Sequence, residues 1–172
     1  MKRCIGDFII KKCDVSCINQ ILDIQEEVLH ELEGFDILRR NSEQMLRECL
    51  ESPHITLGAW YGDLLTAFSI LYFPHTTTEN LSMHLKDINV RGLITANNKL
   101  CIVRKEFRGN SLQYEMGCRL EKYAKEKNVN LICTTVAPEN LHSENNMKRL
   151  GFIYNRTLMR YGSERCLFYK FI

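Results

Sequence analysis

Apolar residues recur along this chain with two periods, and the switches between them mark out its elements. Residues 6–12, rich in Phe and Ile, read as a first strand. Asp14 or Ser16 can then cap a helix whose apolar positions Ile18, Ile21, Leu22, Val28, Leu29 and Leu32 follow helical spacing, with Gly34 ending it. A second helix is signalled by Ser42 as cap and by Met45, Leu46, Cys49 and Leu50 as its buried stripe, and Pro53 stops it. Residues 55–72 hold two β-rich runs flanking Tyr61-Gly62-Asp63, the pattern of an antiparallel hairpin.

Residues 75–98 show no clear period and are left unassigned, although a segment of that length should carry structure of its own. After it, 100–103 is a short apolar run, a strand buried on both faces. Asn110 or Ser111 caps the next helix, on which Leu112, Met116, Leu120, Tyr123 and Ala124 form one face. A second buried strand at 130–136, a short helix over 141–150 stopped by Gly151, and two strands joined at Gly162-Ser163 complete the chain. The order is strand, two helices, hairpin, strand, helix, strand, helix, strand pair. That is a single mixed α/β domain spanning 1–172.

Composition narrows the function classes. The net charge is only +2, from 23 basic and 21 acidic residues interspersed, which supplies no strong field for holding nucleic acid or an anionic membrane. Lys2-Arg3 and Arg39-Arg40 are pairs, not a patch. The N-terminal residues lack a long apolar run and no stretch approaches ~20 apolar residues, so the chain reads as cytoplasmic. Its eight cysteines contain no Cys-x-x-Cys pair and no matching His spacing, so no metal is expected and they read as small apolar residues in a reducing compartment.

Candidate chemistry lies between the strand ending at Val103 and the helix starting near Ser111. There Arg104-Lys105-Glu106-Phe107-Arg108-Gly109-Asn110 is a basic turn with one Gly, placed where helix N-terminal amides point outward. Such amides can cradle a pyrophosphate, and Arg108 could add a charge-assisted bond. Further along, Thr134-Thr135-Val136-Ala137-Pro138-Glu139-Asn140 leads through Ser143 to Leu150-Gly151-Phe152.

Strand, Arg-Gly loop, amphipathic helix, strand, Asn, and a short helix closing on Leu-Gly-Phe together resemble the GNAT superfamily of acetyl-CoA-dependent N-acetyltransferases. The resemblance is strongest over 100–152, and Arg-Gly-Asn-Ser-Leu-Gln with the ending Arg160-Tyr161-Gly162-Ser163-Glu164-Arg165 is similar to uncharacterised bacterial members. It implies a mixed, mostly antiparallel sheet flanked by helices, with a central parallel strand pair that opens to admit CoA. It further implies that backbone groups of Ile102, Val103 and Arg104 bind the pantetheine arm, as an added strand binds a sheet edge. Amides of Gly109, Asn110, Ser111 and Leu112 would hold the pyrophosphate, Asn140 would bond the pantetheine, and Ser143 and Asn146 could contribute from the same helix face.

Two positions depart from the family pattern. Ser111 and Gln113 stand where the motif carries Gly and then Gly or Ala; Ser111 is tolerable if its backbone stays helical. Met147 stands seven residues after Asn140, where many relatives place a Tyr general acid. Tyr154, Tyr161 or a water could substitute, and Glu106, His142 and Asp87 are nominal bases, with Asn97 and Asn98 able only to orient a water. Cys101 has no paired His and reads as packing. The implied activity is direct attack of a small-molecule or peptide amine on acetyl-CoA, a co-substrate. The alternative is a non-catalytic acyl-CoA-binding or sensing module. Leu167, Phe168, Tyr169 and Phe171 could pair the C-terminal strands across a homodimer.

Overall fold

The computed structural model describes residues 4–33 and 36–172, so Gly34 and the Lys2-Arg3 pair lie outside the described residues. Its strands are β1 (Ile9–Lys12), β2 (Ile55–Tyr61), β3 (Leu64–Tyr72), β4 (Thr95–Val103), β5 (Leu131–Val136), β6 (Ile153–Arg160) and β7 (Ser163–Phe171). They form one sheet in the order β1-β2-β3-β4-β5-β7-β6, antiparallel at every junction except β4 with β5. The helices are α1 (Ile18–Glu31), α2 (Glu43–Glu48), α3 (Leu112–Glu126) and α4 (Leu141–Arg149).

β1 is shorter than the apolar run suggests, because Ile5–Asp7 folds into a 3-10 turn closed by Asp7, whose carboxylate accepts from the Cys4 amide at 2.9 Å. Asp14 caps a further 3-10 turn that runs directly into α1. The α1 stripe packs with α2, Phe68, Ile70 and Ile102 on one sheet face. On the opposite face the α3 stripe Leu112, Met116, Leu120 and Ala124 packs against Leu57, Leu71, Ile132 and Phe168. Gly117 is required there: a Cβ at that position would lie 2.6 Å from Leu150 Cδ1, so its absence lets the end of α4 settle on α3.

The unassigned segment is a cover over the α1/α2 face of the C-terminal strands. Leu81, on a 3-10 turn (Leu81–His84), packs with Leu131, Cys133 and Leu167, and Leu85, Val90 and Leu93 join them. Buried Asn97 ties this cover to the sheet, its Oδ1 accepting from the Leu81 amide at 3.3 Å and its Nδ2 donating to Glu79 O at 2.8 Å. Leu167 and Phe168 are fully buried within the chain, so of the residues read as a pairing surface only Phe171 is strongly exposed. Among the described residues no helix is long and apolar enough to cross a membrane.

Candidate active site

The parallel junction is short. β4 and β5 pair only over Thr95↔Leu131, Ala96↔Ile132 and Asn97↔Cys133, after which the strands diverge. A bulge at Lys99 accompanies the parting, since Asn98 faces Leu71 on β3 and Leu100 faces Ile70. Thr134 Oγ1 bridges the start of the gap by donating to Asn98 O at 2.8 Å. Beyond that point the open edge of β4 faces a cleft of about 1050 Å³, walled by α1, α2 and their connecting loop on one side and by the starts of α3 and α4 on the other.

Antiparallel pairing decides which β4 groups face the opening. The Arg104 amide donates to Thr66 O at 2.9 Å, and alternation from there commits the backbone groups of Ile102 and Leu100 to β3. Those of Cys101 and Val103 face the cleft, with Val103 O accepting from Arg108 Nε at 3.2 Å. This corrects two expectations. Ile102 lines the cleft with its side chain, not its amide. Arg104 is outside the lining altogether: its carbonyl accepts from the Phe107 amide, its Nε donates to Leu65 O, and its guanidinium pairs with Glu27.

The turn into α3 is held by buried Phe107 and by Gly109 and Ser111, both at positive φ (79° and 59°). Ser111 is thus left-handed, not helical, and its side chain makes no capping bond. Asn110 is buried, its Nδ2 donating to Phe107 O at 2.8 Å, so it buttresses the turn from outside the cleft lining. Open space lies over Gly109, whose glycine serves its backbone angle. The first α3 bond runs from Glu115 to Ser111 O, and among the described residues the amides of Gly109, Ser111, Leu112 and Gln113 make no hydrogen bond. Arg108 is not aimed at this nest of donors: its guanidinium forms a two-pronged pair with Glu31 of α1 at 2.7 and 2.8 Å.

Across the gap Asn140 begins α4, its Oδ1 accepting from the Ser143 amide at 3.1 Å, which leaves its Nδ2 as a donor on the cleft. Ser143 and Asn146 both line the cleft and both bind Gln113, from Gln113 Nε2 to Ser143 Oγ at 3.2 Å and from Asn146 Nδ2 to Gln113 Oε1 at 2.8 Å. Gln113 therefore knits α3 to α4. Met147 is buried on the cleft floor, with Asn98 Nδ2 3.9 Å from its sulfur and Asn98 Oδ1 buried without a partner.

Of the acid and base candidates, the structure brings Tyr161 and His142 to the cleft. Tyr154 sits on β6, its hydroxyl 3.0 Å from Thr157 Oγ1, and Glu106 and Asp87 lie outside the lining. Asn97 is spent on the cover segment. Cys101 lines the cleft, but burial pushes its thiol up to about 12, far from a thiolate at neutral pH. Periodicity missed Ile37, Leu38, Arg39, Arg40 and Asn41, which complete the α1/α2 wall, and Arg165 of β7, which also lines the cleft.

One cluster outside the cleft has ligating side chains close together: Glu48, His54 and His75 have potential ligand atoms within 4.8 Å of one another. His54 Nδ1 accepts the Phe73 amide at 3.1 Å, which puts the proton of the neutral ring on Nε2, the nitrogen facing Glu48. That nitrogen is set up as a donor and not as a ligand.

No protein-family model matches the chain, and no curated protein matches it in sequence. Its fold is that of the GNAT acetyltransferases. It resembles the yncA protein of Salmonella typhimurium, solved with its cofactor acetyl-CoA, at TM-score 0.72 and 12% identity over 96% of this chain and 94% of that one. A GNAT-family acetyltransferase of Streptococcus pneumoniae superposes at 0.73 and 12% identity over 96% and 99% of the two chains. The ribosomal-protein-S5-alanine acetyltransferase of Vibrio fischeri superposes at 0.70 and 11% identity over 96% and 93%.

Proposed function

We propose that the protein is a cytoplasmic enzyme that transfers an acetyl group from acetyl-CoA to a primary amine by direct attack. The observation that carries this reading is the parting of β4 and β5 beside four unpaired amides at the start of α3. The residues fit the co-substrate: amides of Gly109, Ser111, Leu112 and Gln113 suit a pyrophosphate, and the cleft-facing backbone of Cys101 with Asn140 Nδ2 suits an amide-bearing arm.

When bound, the co-substrate supplies an activated thioester. The new N–C bond forms as the C–S bond breaks, the amine proton passes to solvent or to His142, and sulfur leaves as thiolate. The cleft-facing amide of Cys101 or Val103 can donate to the carbonyl oxygen as negative charge develops there. Loss of the Tyr at position 147 is tolerable because a thiol of pKa about 8.5 leaves without prior protonation, although a positioned acid adds ~10²–10⁴-fold.

Calorimetric titration with acetyl-CoA, followed by release of free thiol across a broad panel of amines, tests this. Absence of both would overturn it. A second reading, a non-catalytic acyl-CoA-binding or sensing module, draws on Met147 and on the absence of any Asp or Glu from the cleft lining among the described residues. Binding without thiol release, even with diverse amines at high pH, would select it.

A further inference from the structure

The cleft is electrostatically one-sided. Arg39, Arg40, Lys99, Arg108 and Arg165 line it, with no carboxylate among the lining residues described. Three of these cations are matched by carboxylates outside the lining, Arg108 by Glu31 and Arg40 by Glu26 from α1, and Arg165 by Asp36. Arg39 and Lys99 make no ion pair among the described residues; they lie over the rings of Tyr161 and Tyr72, at 4.9 and 4.0 Å. Glu79, whose charge Lys99 offsets, is bonded to the Tyr72 hydroxyl.

Arg165 is held differently. Its side chain is only 7% exposed, although Asp36, its ion-pair partner at 3.2 Å, is 62% exposed on the loop after α1. Register places Arg165 just beyond Val136↔Cys166, at the carboxyl end of β5. Cys166 packs toward α3 and α4, so Arg165 points to the opposite face, where Asp36 pairs with it and Arg39, three residues further on, lies over the ring of Tyr161. The positive charge at this end is therefore separated by the sheet from the unpaired amides of α3. Asp36 offsets part of the Arg165 charge from the exposed loop, whereas Arg39 has no ion-pair partner among the described residues, so this end of the cleft favours a ligand with an anionic group over one whose charge is purely cationic.

Resting on the acetyl-transfer reading, we propose that the acceptor is a small primary amine carrying an anionic group of its own, a carboxylate or a phosphate ester, held by Arg39 and Arg165 beside Tyr161.

The test is calorimetry of matched pairs with the protein, in the presence and absence of coenzyme A. One series is ω-amino acids of increasing length against their carboxamides; the other is amino-alkyl phosphates against the amino-alcohols. At least one charged member should bind about tenfold or more tighter than its neutral match, as expected for a charge-assisted guanidinium contact. The better series tells carboxylate from phosphate. Arg39→Gln, at an exposed site, should erase most of that preference and leave acetyl-CoA affinity unchanged; Arg165→Gln should do the same, with its fold checked by circular dichroism. No charged-over-neutral preference in either series overturns the proposal, as does an Arg39→Gln variant that weakens acetyl-CoA but keeps the preference. Failure to bind acetyl-CoA while the anion preference persists would instead sink the transfer reading alone.

Discussion

Gln113→Ala isolates the clamp between α3 and α4. The substitution removes two hydrogen bonds, to Ser143 Oγ (3.2 Å) and from Asn146 Nδ2 (2.8 Å). All three residues are half-buried, so water can replace the lost partners and each bond counts at its net value of about 0.5–1.5 kcal/mol. Asn146 also keeps its bond to His142 O at 3.1 Å. Alanine returns a few tenths of a kcal/mol in helix propensity, which leaves a net loss of about 1 kcal/mol and a Tm lower by about 2–4 °C for a chain of this size. Urea denaturation of Gln113→Ala, Asn146→Ala and the double variant should give a coupling energy of about 0.5–1 kcal/mol. Because α4 begins at Asn140, acetyl-CoA affinity should fall a few-fold with the clamp. Strict additivity of the two substitutions would refute the reasoning, whatever the size of each alone.

Gly109→Ala and Gly117→Ala are expected to destabilise for different reasons. The first costs about 1–2 kcal/mol through its φ of +79°, with open space around the new methyl. In the second, overpacking against Leu150 costs about 1–3 kcal/mol and Ala inside α3 returns about 1 kcal/mol of helix propensity, so only Gly117→Ala should couple to Leu150→Ala in a denaturation cycle. With its thiol pushed up to about 12, Cys101 is about 10⁻⁵ ionised at pH 7, and Cys101→Ala should keep acetyl transfer within about twofold; a hundredfold loss in a thiol-release assay would restore it as a nucleophile. Burial first, with Glu48 opposing, holds His54 below its ordinary 6.5, and burial with Arg160 does the same for His84. The unfolded chain then binds more protons below pH 6.5, so stability should fall as pH drops from about 6.5 towards 5, above the range where carboxylates titrate. Denaturant midpoints across that window should slope less in His54→Gln.

Periodicity found the elements whose burial is apolar and one-sided. The α3 positions Leu112, Met116, Leu120 and Ala124 are all buried, and Ser42 caps α2 by accepting from the Met45 amide at 3.2 Å. It failed where burial is polar. The first half of β4, Thr95 to Lys99, has no strand-like apolar content because Asn97 is buried on hydrogen bonds to the cover segment and Asn98 against Met147. Gln25 was missed on α1 for the same reason: it is 1% exposed and clamps Asn41, accepting from its amide at 2.9 Å and donating to its carbonyl at 3.0 Å.

The site divides along the same line. The loop entering α3 and the Asn starting α4 are local motifs, and local spacing located both at the cleft. Arg108 was legible as a cation but not in its direction, because its partner Glu31 stands 77 positions earlier. The cleft wall around Arg39 and Arg165 was invisible for a related reason: Asp36 and Arg165 meet across 129 positions, and Arg39 meets Tyr161 by a contact that no window along the chain contains. A short-range pattern reports how a backbone will fold, whereas charge in a cleft is set by which side chains the fold sends there and which it leaves outside. Here the cleft lining holds five cations and, among the described residues, no carboxylate, with the acids that pair Arg40, Arg108 and Arg165 set outside it, an arrangement no local pattern encodes.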